Sequence, residues 1–291
     1  MISLVIISKD EPSLDETLAD VVLQCKDLGE QSEIVVVDAS EGRLENIRLK
    51  HEANVRWIQF QRPAGVMVSI PHQRNVGVRA AHGEIIVFID AGCYPEANWL
   101  ASLVAPLYRG ECVSVGPVLG TLGSTRIYDG SKREFSETAY LRECGSGNMS
   151  FRREVFDAVG GFDESFTYGS DVDFSWRLVD AGYCLRTAPS AVIRHDWGSA
   201  RRQLRRSYMY GKARMRLYQK HRSRRKRVLR DDPILVAYPA FLLGLPLTLV
   251  FPLYPALLLI PAWRNRSNGA FRILVDHLAY GCGALVQLMR P

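Results

Sequence analysis

Gly83-Glu-Ile-Ile-Val-Phe-Ile-Asp-Ala-Gly92 sets the fold of this chain. Five consecutive apolar residues between a glycine and a carboxylate read as a short strand buried on both faces, the kind found inside parallel sheets. The strand stops at Asp90, with a small-residue turn behind it. In open α/β sheets ligands bind outside the carboxyl ends of the strands, so a carboxylate at that edge is a site candidate. Glu33-Ile-Val-Val-Val-Asp38 repeats the construction and also ends on aspartate. Two such ends fit a sheet that holds a phosphorylated or metal-bound ligand along one edge. The alternative is that both aspartates merely cap the turns that follow them.

Working outward, residues 2–8, 33–38, 55–60 and 84–90 read as strands, with helices expected over 14–28, 43–50 and 72–82. Strands alternating with helices predict an α/β fold, doubly wound around a mostly parallel sheet. Further strands are expected at 112–118 and 190–195. A helix is expected at 171–181, where Val172, Phe174, Trp176, Leu178 and Val179 stand among charged positions. The loops 62–71 and 119–134 are rich in Gly, Pro, Ser and Thr and are expected to cover a site.

The chain has 291 residues and 47% apolar content, enough for one large domain, or one domain plus an appendage. Met1-Ile-Ser-Leu-Val-Ile-Ile runs straight into Ser8-Lys9-Asp10-Glu11, which reads as a first strand and not a signal peptide. Six scattered cysteines (25, 93, 112, 144, 184 and 282) form no CxxC pair and no zinc-ligand spacing. Isolated thiols of this kind suit a reducing compartment, so the body is expected to be cytoplasmic.

The net charge of +6 is unevenly placed. Residues 201–230 hold fourteen Lys or Arg and no Asp or Glu, which leaves about −8 for the rest of the chain. Directly after this block, Pro233 to Trp263 carries no charged residue. A basic block abutting an apolar stretch predicts a cytoplasmic juxtamembrane anchor, because anionic head groups attract each cation by about 1 kcal/mol. A nucleic-acid partner is not expected, since a soluble nucleic-acid binder has no use for the apolar neighbour. Leu204, Tyr208, Gly211, Met215 and Tyr218 share one helical face, the remaining positions being crowded with cations. Such a helix is expected to lie in a membrane interface, the alternative being a helix packed on protein.

The stretch 233–263 is long enough to cross a bilayer, but prolines 233, 239, 246, 252, 255 and 261 interrupt it. It is expected to be a kinked span or a re-entrant hairpin turning near Pro252-Leu-Tyr-Pro255. Ile273 to Met289 is a second apolar stretch, marginal because it holds Asp276 and His277. Arg264, Arg266 and Arg272 between the two favour the hairpin. The expected organisation is a nucleotide-binding domain over 1–200, a basic amphipathic helix over 201–230 and an apolar membrane-associated region over 231–291.

Eight segments together carry a resemblance. They are Val5-Ile-Ile-Ser-Lys-Asp-Glu11, Ile34-Val-Val-Val-Asp38, Gln73-Arg-Asn-Val-Gly77, Gly83 to Pro95, Gly145-Ser-Gly-Asn-Met-Ser-Phe-Arg152, Gly160-Gly-Phe-Asp-Glu164, Gly169-Ser-Asp-Val-Asp-Phe-Ser-Trp-Arg177 and Val192-Ile-Arg-His195. In order and spacing the chain resembles a family 2 glycosyltransferase, an inverting nucleotide-sugar enzyme of the GT-A fold, from Ser3 to about Trp197.

The resemblance implies roles for residues. Ser8, Glu11 and Asp38 would hold the nucleoside, a carboxylate being a pure acceptor suited to a base N–H or a ribose hydroxyl. Arg74 would reach the nucleobase or diphosphate as a rigid fork of donors. Asp90 would face the sugar diphosphate and its Mg²⁺ or Mn²⁺, with His195 as a late metal ligand. Asp171 would be the general base that takes the proton from the acceptor hydroxyl. Gly147, Asn148, Asp173 and Trp197 would shape the donor-sugar or acceptor pocket, Asp173 having helix capping as its alternative.

Two departures from the pattern matter. The usual DxD reads Asp90-Ala91-Gly92, so the second carboxylate is missing, and the usual acidic pair reads Ser170-Asp171. The implied activity is membrane-associated transfer of a sugar from a nucleotide donor to a lipid-linked or polysaccharide acceptor. A non-catalytic protein of the same fold, binding a nucleotide sugar or scaffolding an assembly at the membrane, is the second reading. A dinucleotide-dependent oxidoreductase is disfavoured, because no GxGxxG follows the first strand.

Overall fold

A computed structural model describes residues 1–122, 125–126, 135, 139–196, 198–264 and 269–290. The chain divides into two compact units, Met1–Asp196 and Trp197–Pro291.

The first unit is an α/β sandwich. In chain order its described elements begin β1 (Ile2–Ser8), α1 (Leu14–Leu28), β2 (Ser32–Asp38), α2 (Glu45–His51), β3 (Val55–Gln59), α3 (Ile70–Ala80), β4 (Ile85–Ile89), β5 (Cys93–Pro95) and α4 (Trp99–Tyr108). They continue with β6 (Val113–Val115), β7 (Val118–Leu122), β8 (Thr125–Arg126), β9 (Tyr140–Leu141), β10 (Asn148–Arg152), α5 (Arg153–Val159), α6 (Ser170–Asp180), β11 (Leu185–Thr187) and β12 (Ile193–Asp196). Among the described residues eight strands form the main sheet, in the order β3-β2-β1-β4-β10-β6-β11-β9. The first four are mutually parallel, as alternation with helices predicts, whereas β10 and β9 run against their neighbours.

Side-chain alternation builds a core on each face. Ile2, Leu4, Ile6, Ile34, Val36, Ile85, Val87 and Ile89 meet α1 and α4 through Leu14, Leu18, Trp99 and Leu103. Val5, Val35, Val37, Ile86 and Phe88 meet α3, α5 and α6 through Val78, Phe156, Phe174 and Leu178. Gly77 brings α3 down onto β1, since a Cβ there would lie 2.3 Å from Cγ1 of Val5.

A smaller sheet, β5-β12-β7-β8, lies beyond the end of β4. The single strand expected over 112–118 is two strands in two sheets. Pro117 has no N–H to continue a ladder, and a Cβ on Gly116 would sit 2.1 Å from the carbonyl oxygen of Ala191. Of the loop 119–134, residues 123–124 and 127–134 lie outside the described residues.

The second unit holds α7 (Ala200–Lys220), a 3-10 run (Arg222–Arg227), α8 (Val228–Asp231), α9 (Pro233–Leu243), 3-10 turns at Leu245–Leu249 and Tyr254–Leu258, α10 (Leu259–Arg264) and α11 (Ala270–Leu288). Two expectations meet the structure here. The apolar face of α7 packs on protein around Gly211, the alternative named for this helix, while Leu204 at its start stays exposed. A Cβ on Gly211 would lie 1.9 Å from the carbonyl oxygen of Tyr280 on α11, and one on Gly283 would lie 2.0 Å from that of Tyr208. Small residues let the two backbones touch, and Leu217 and Tyr218 are buried. No helix among the described residues is long and apolar enough to cross a membrane, so the kinked span, one of the two forms expected for 233–263, is not seen among them. The prolines divide 233–263: Pro233, Pro246 and Pro255 stand in the first turn of their segments, where no helical N–H is lost, whereas Pro239 lies inside α9.

Candidate active site

The parallel register sets the edge. Ser8 pairs with Asp38, so the ends of β1 and β2 stand level. Asp38 is 1% exposed, and its Oδ1 accepts from the hydroxyl (2.5 Å) and the backbone N–H (3.2 Å) of Ser40. Burial pushes the Asp38 carboxyl above its ordinary range, and the Ser40 hydrogen bonds oppose this. The Ser40 hydroxyl also accepts from the backbone of Asp10, whose carboxylate is held low by Arg43 at 2.6 Å. Ser8 Oγ is buried with no hydrogen-bond partner, an orphan that a bound polar ligand would satisfy.

Every residue of Gln73-Arg-Asn-Val-Gly77 has a task except Val76. Gln73 Nε2 donates 2.9 Å to the carbonyls of both Ser8 and Val37, stitching the two strand ends together. Arg74 Nη2 donates 2.9 Å to Asp90 Oδ1, and its guanidinium lies 5.6–5.8 Å from the rings of Phe88 and Phe162. Arg74 Nε is buried and unpartnered. Asn75 holds the Gly160-to-Glu164 loop, donating to Phe162 O and Glu164 Oε1 and accepting from Phe162 N. Gly161 is obligatory there: its φ is +73°, and a Cβ would lie 2.9 Å from Asn75 Oδ1.

The reversed strand β10 completes the pocket. Asn148 pairs with Ile89, so Gly147 stands across from Asp90, and a Cβ on it would come within 2.7 Å of Oδ2. Two residues earlier, a Cβ on Gly145 would sit 3.5 Å from Oδ2 of Asp171. The turn Gly145-Ser-Gly147 therefore runs between the two carboxylates, and Ser146 Oγ within it is buried and unpartnered. Asp171 lies in the first turn of α6, behind Gly169 at φ +79°. Burial pushes its carboxyl above the ordinary range; repulsion from Asp90 adds to this, and attraction from Arg74 opposes it. Arg74, Asp90 and Asp171 are thus one electrostatic unit.

The remaining expected residues divide. Glu11 lies against Gly92 (φ +81°), where a Cβ would be 3.3 Å from Glu11 Cδ. Its carboxyl therefore stands beside the position at which the DxD pattern lacks its acid. His195 is partly buried on β12 and pairs with Cys93, three residues beyond Asp90. Among the described residues no three His, Cys, Asp or Glu side chains gather as a metal cage. Asp90 with Glu11 suits a hard cation that takes its other ligands from a bound diphosphate.

Two pocket assignments are corrected. Asn148 is 1% exposed: Nδ2 donates to Pro117 O (2.9 Å) and Ala191 O (2.7 Å), and Oδ1 accepts from Trp99 Nε1 (2.8 Å). Its amide hydrogens are spent on the scaffold. Asp173 is fully buried and paired with Arg177 at 2.9 Å, so it too braces the fold. Trp197 lies outside the described residues. Gln73, Ser40, Gly145 and Ser146 were not anticipated. The small-polar composition of Gly145-Ser-Gly147, set directly before a buried strand, is the signal that could have found the last two.

Known proteins carry the same frame. Residues 3–162 match Glycosyl transferase family 2, and residues 145–265 match Glycosyl transferase family group 2. The chain is 31% identical over 139 residues to "Pre-mycofactocin glycosyltransferase" of Mycobacterium tuberculosis, covering 42% of this chain and 29% of the relative. It is 27% identical over 164 residues to "Glycosyltransferase AglE" of Haloferax volcanii, covering 53% of each. The chain therefore spans about a third to a half of these relatives. In fold it is similar to the mannosyltransferase PcManGT of Pyrobaculum calidifontis, solved with GDP-Man and Mn²⁺: TM-score 0.64, 19% identity, covering 99% of this chain and 87% of the other.

Proposed function

The chain belongs to glycosyl transferase family 2, and from that premise we propose that it moves a sugar from a nucleotide-sugar donor to an acceptor hydroxyl with inversion. The observation that carries the reading is the triad of Arg74, Asp90 and Asp171 arranged around the Gly145-Ser-Gly147 turn. The nucleoside sits on the level ends of β1 and β2, where Asp38 and the unsatisfied Ser8 hydroxyl supply an acceptor and a donor. The diphosphate lies toward Arg74, whose free Nε is available to an anion.

Asp171 takes the proton from the acceptor hydroxyl as that oxygen attacks the anomeric carbon from the face opposite the leaving diphosphate. Burial prepares it for this: a carboxyl raised above its ordinary range is a stronger base once ionised. As the glycosidic bond to the diphosphate breaks, negative charge grows on the leaving phosphate, and Arg74 is placed to stabilise it. A bound Mg²⁺ or Mn²⁺, held by Asp90 with Glu11 or His195, would add charge neutralisation at the same place.

Membrane association and a lipid-linked or glycan acceptor complete the proposal. They are supported by the cation-only block 201–230 and the uncharged stretch after it. The test is transfer from candidate nucleotide sugars to polyprenyl-phosphate and oligosaccharide acceptors, with the product anomer read by NMR. An inverted product whose formation is lost in Asp171→Asn supports the account. A retained anomer, or an active Asp171→Asn enzyme, contradicts it.

A further inference from the structure

Within the second unit, the segment after α9 folds back on itself. Tyr254 donates its hydroxyl to the carbonyl of Phe241 at 3.0 Å, and the two rings stack at 5.3 Å. Gly244 makes room for this clasp, since a Cβ on it would collide with the Tyr254 hydroxyl at 2.0 Å. The clasp ties the base of a loop whose tip is apolar and bare. Leu249 is 90% exposed, Leu253 82%, Val250 70% and Phe251 63%. Leu259, Ile260 and Trp263 on the return are two-thirds exposed or more. So much contiguous apolar surface is not left to water without a partner.

We propose that this clasped hairpin inserts into one leaflet of an anionic bilayer and holds the protein there without crossing it. The proposal deepens the membrane part of the function above and rests on it. Three observations select a lipid leaflet over another protein. First, the apolar tip is preceded by Arg222–Arg227, a 3-10 run with five cations, four of which (Arg222, Arg225, Lys226 and Arg227) are exposed. Anionic head groups meet that charge; an apolar protein partner would leave it unmatched.

Second, the length fits. α9 has 11 residues, about 16 Å at 1.5 Å each, and separates the basic run from the tip. The hydrocarbon core is about 30 Å thick, so that descent equals roughly one leaflet. Third, the return ends at exposed Trp263, a residue type that settles at the head-group level. The 3-10 turns at 245–249 and 254–258 satisfy part of the backbone locally, and the Tyr254 clasp donates to the carbonyl of Phe241 in the last turn of α9.

The test is flotation of the full chain with phosphatidylcholine vesicles, with and without 30% phosphatidylglycerol (an anionic fraction of about a third suffices to set the surface potential). The double variant Leu249→Glu/Leu253→Glu is expected to lower vesicle binding at least tenfold, while the apolar exchange Leu249→Phe/Phe251→Leu keeps it. Arg222→Gln/Lys226→Gln/Arg227→Gln is expected to remove most of the preference for phosphatidylglycerol, at about fivefold per charge. Circular dichroism and donor binding stay unchanged in each, so failure of the membrane reading is separable from failure of the enzyme reading.

Depth is read from a spin label on Val250→Cys, with exposed Cys184 and Cys282 replaced by serine. Oxygen should reach the label and a water-soluble nickel chelate should not. Flotation unchanged by the glutamates, or a label open to the chelate in the bilayer, overturns the proposal. So does a wild-type dimer in solution that the same glutamates dissociate while vesicle binding persists.

Discussion

Arg74 and Asp90 lie sixteen residues apart and meet at 2.9 Å, a half-buried carboxylate gripped by a cation that is 5% exposed. The pair joins α3 to the end of β4, where the proposed function puts the donor diphosphate. The guanidinium lies 5.6–5.8 Å from the rings of Phe88 and Phe162, which help to hold its fork in place before any ligand arrives. Lysine cannot reproduce that planar geometry. Arg74→Lys is therefore expected to weaken donor binding about tenfold to a hundredfold, or about 1.4–2.8 kcal/mol, with little change in melting temperature. Calorimetric titration of the donor nucleotide checks this, and an unchanged Kd would remove Arg74 from the site.

Gly147 has no room for a methyl group, since Oδ2 of Asp90 is 2.7 Å from where one would sit. Gly147→Ala should push Asp90 off Arg74, and overpacking of this kind costs about 1–3 kcal/mol. Donor affinity should fall with it. A variant that binds donor as well as the parent would show that Asp90 can shift without consequence.

As the proposed base, Asp171 would link catalysis to stability. Its folded carboxyl titrates above its unfolded value because it is buried. The folded state therefore holds the proton more tightly, and stability falls as pH rises from the ordinary carboxylate range through the raised one. At neutral pH the ionised form is a burden on the fold. Asp171→Asn should raise the melting temperature at pH 7 while lowering kcat by about 10²–10⁴. The acid limb of kcat against pH should lie above the ordinary aspartate range. A variant less stable at pH 7 than the parent would reverse the sign argued here.

Asn148 makes the opposite prediction. Asn148→Ala leaves Trp99 Nε1 and the carbonyl of Ala191 without their partner, while that of Pro117 keeps the backbone N–H of Ile193. Each buried orphan costs about 1–3 kcal/mol, so thermal unfolding should move sharply downward. KM for donor and acceptor in the surviving folded fraction should be unchanged. A selective rise in KM would return Asn148 to the pocket.

Much of this was legible in the residues. Apolar runs with carboxylate ends located β2 and β4, and with them Asp38 and Asp90, because a buried parallel strand has a composition that few other elements share. Gln73-Arg-Asn-Val-Gly77 was recognisable as a motif, but the role of Gln73 as the stitch between Ser8 and Val37 is a three-dimensional fact. The corrections share a cause. Asn148 and Asp173 carry polar groups that suit a pocket equally well on paper, and only burial and partners showed them to be braces. The face of α7 has the period of an interfacial helix. What packs on it is α11, some seventy residues on, and no local pattern names a distant neighbour. For 233–263 the six prolines left a kinked span and a hairpin both open on paper, and no helix among the described residues is long and apolar enough for the first.

The most direct test of the account is a thermal-shift panel of UDP-, GDP- and dTDP-sugars, with Mn²⁺ and with chelator, on the full chain and on Asp38→Ala. A ligand that binds only the native state must raise the melting temperature. The account predicts stabilisation by one donor class, lost in Asp38→Ala and weakened by chelator. No shift with any donor, or a shift that survives Asp38→Ala unchanged, would contradict a nucleotide site at the ends of β1 and β2.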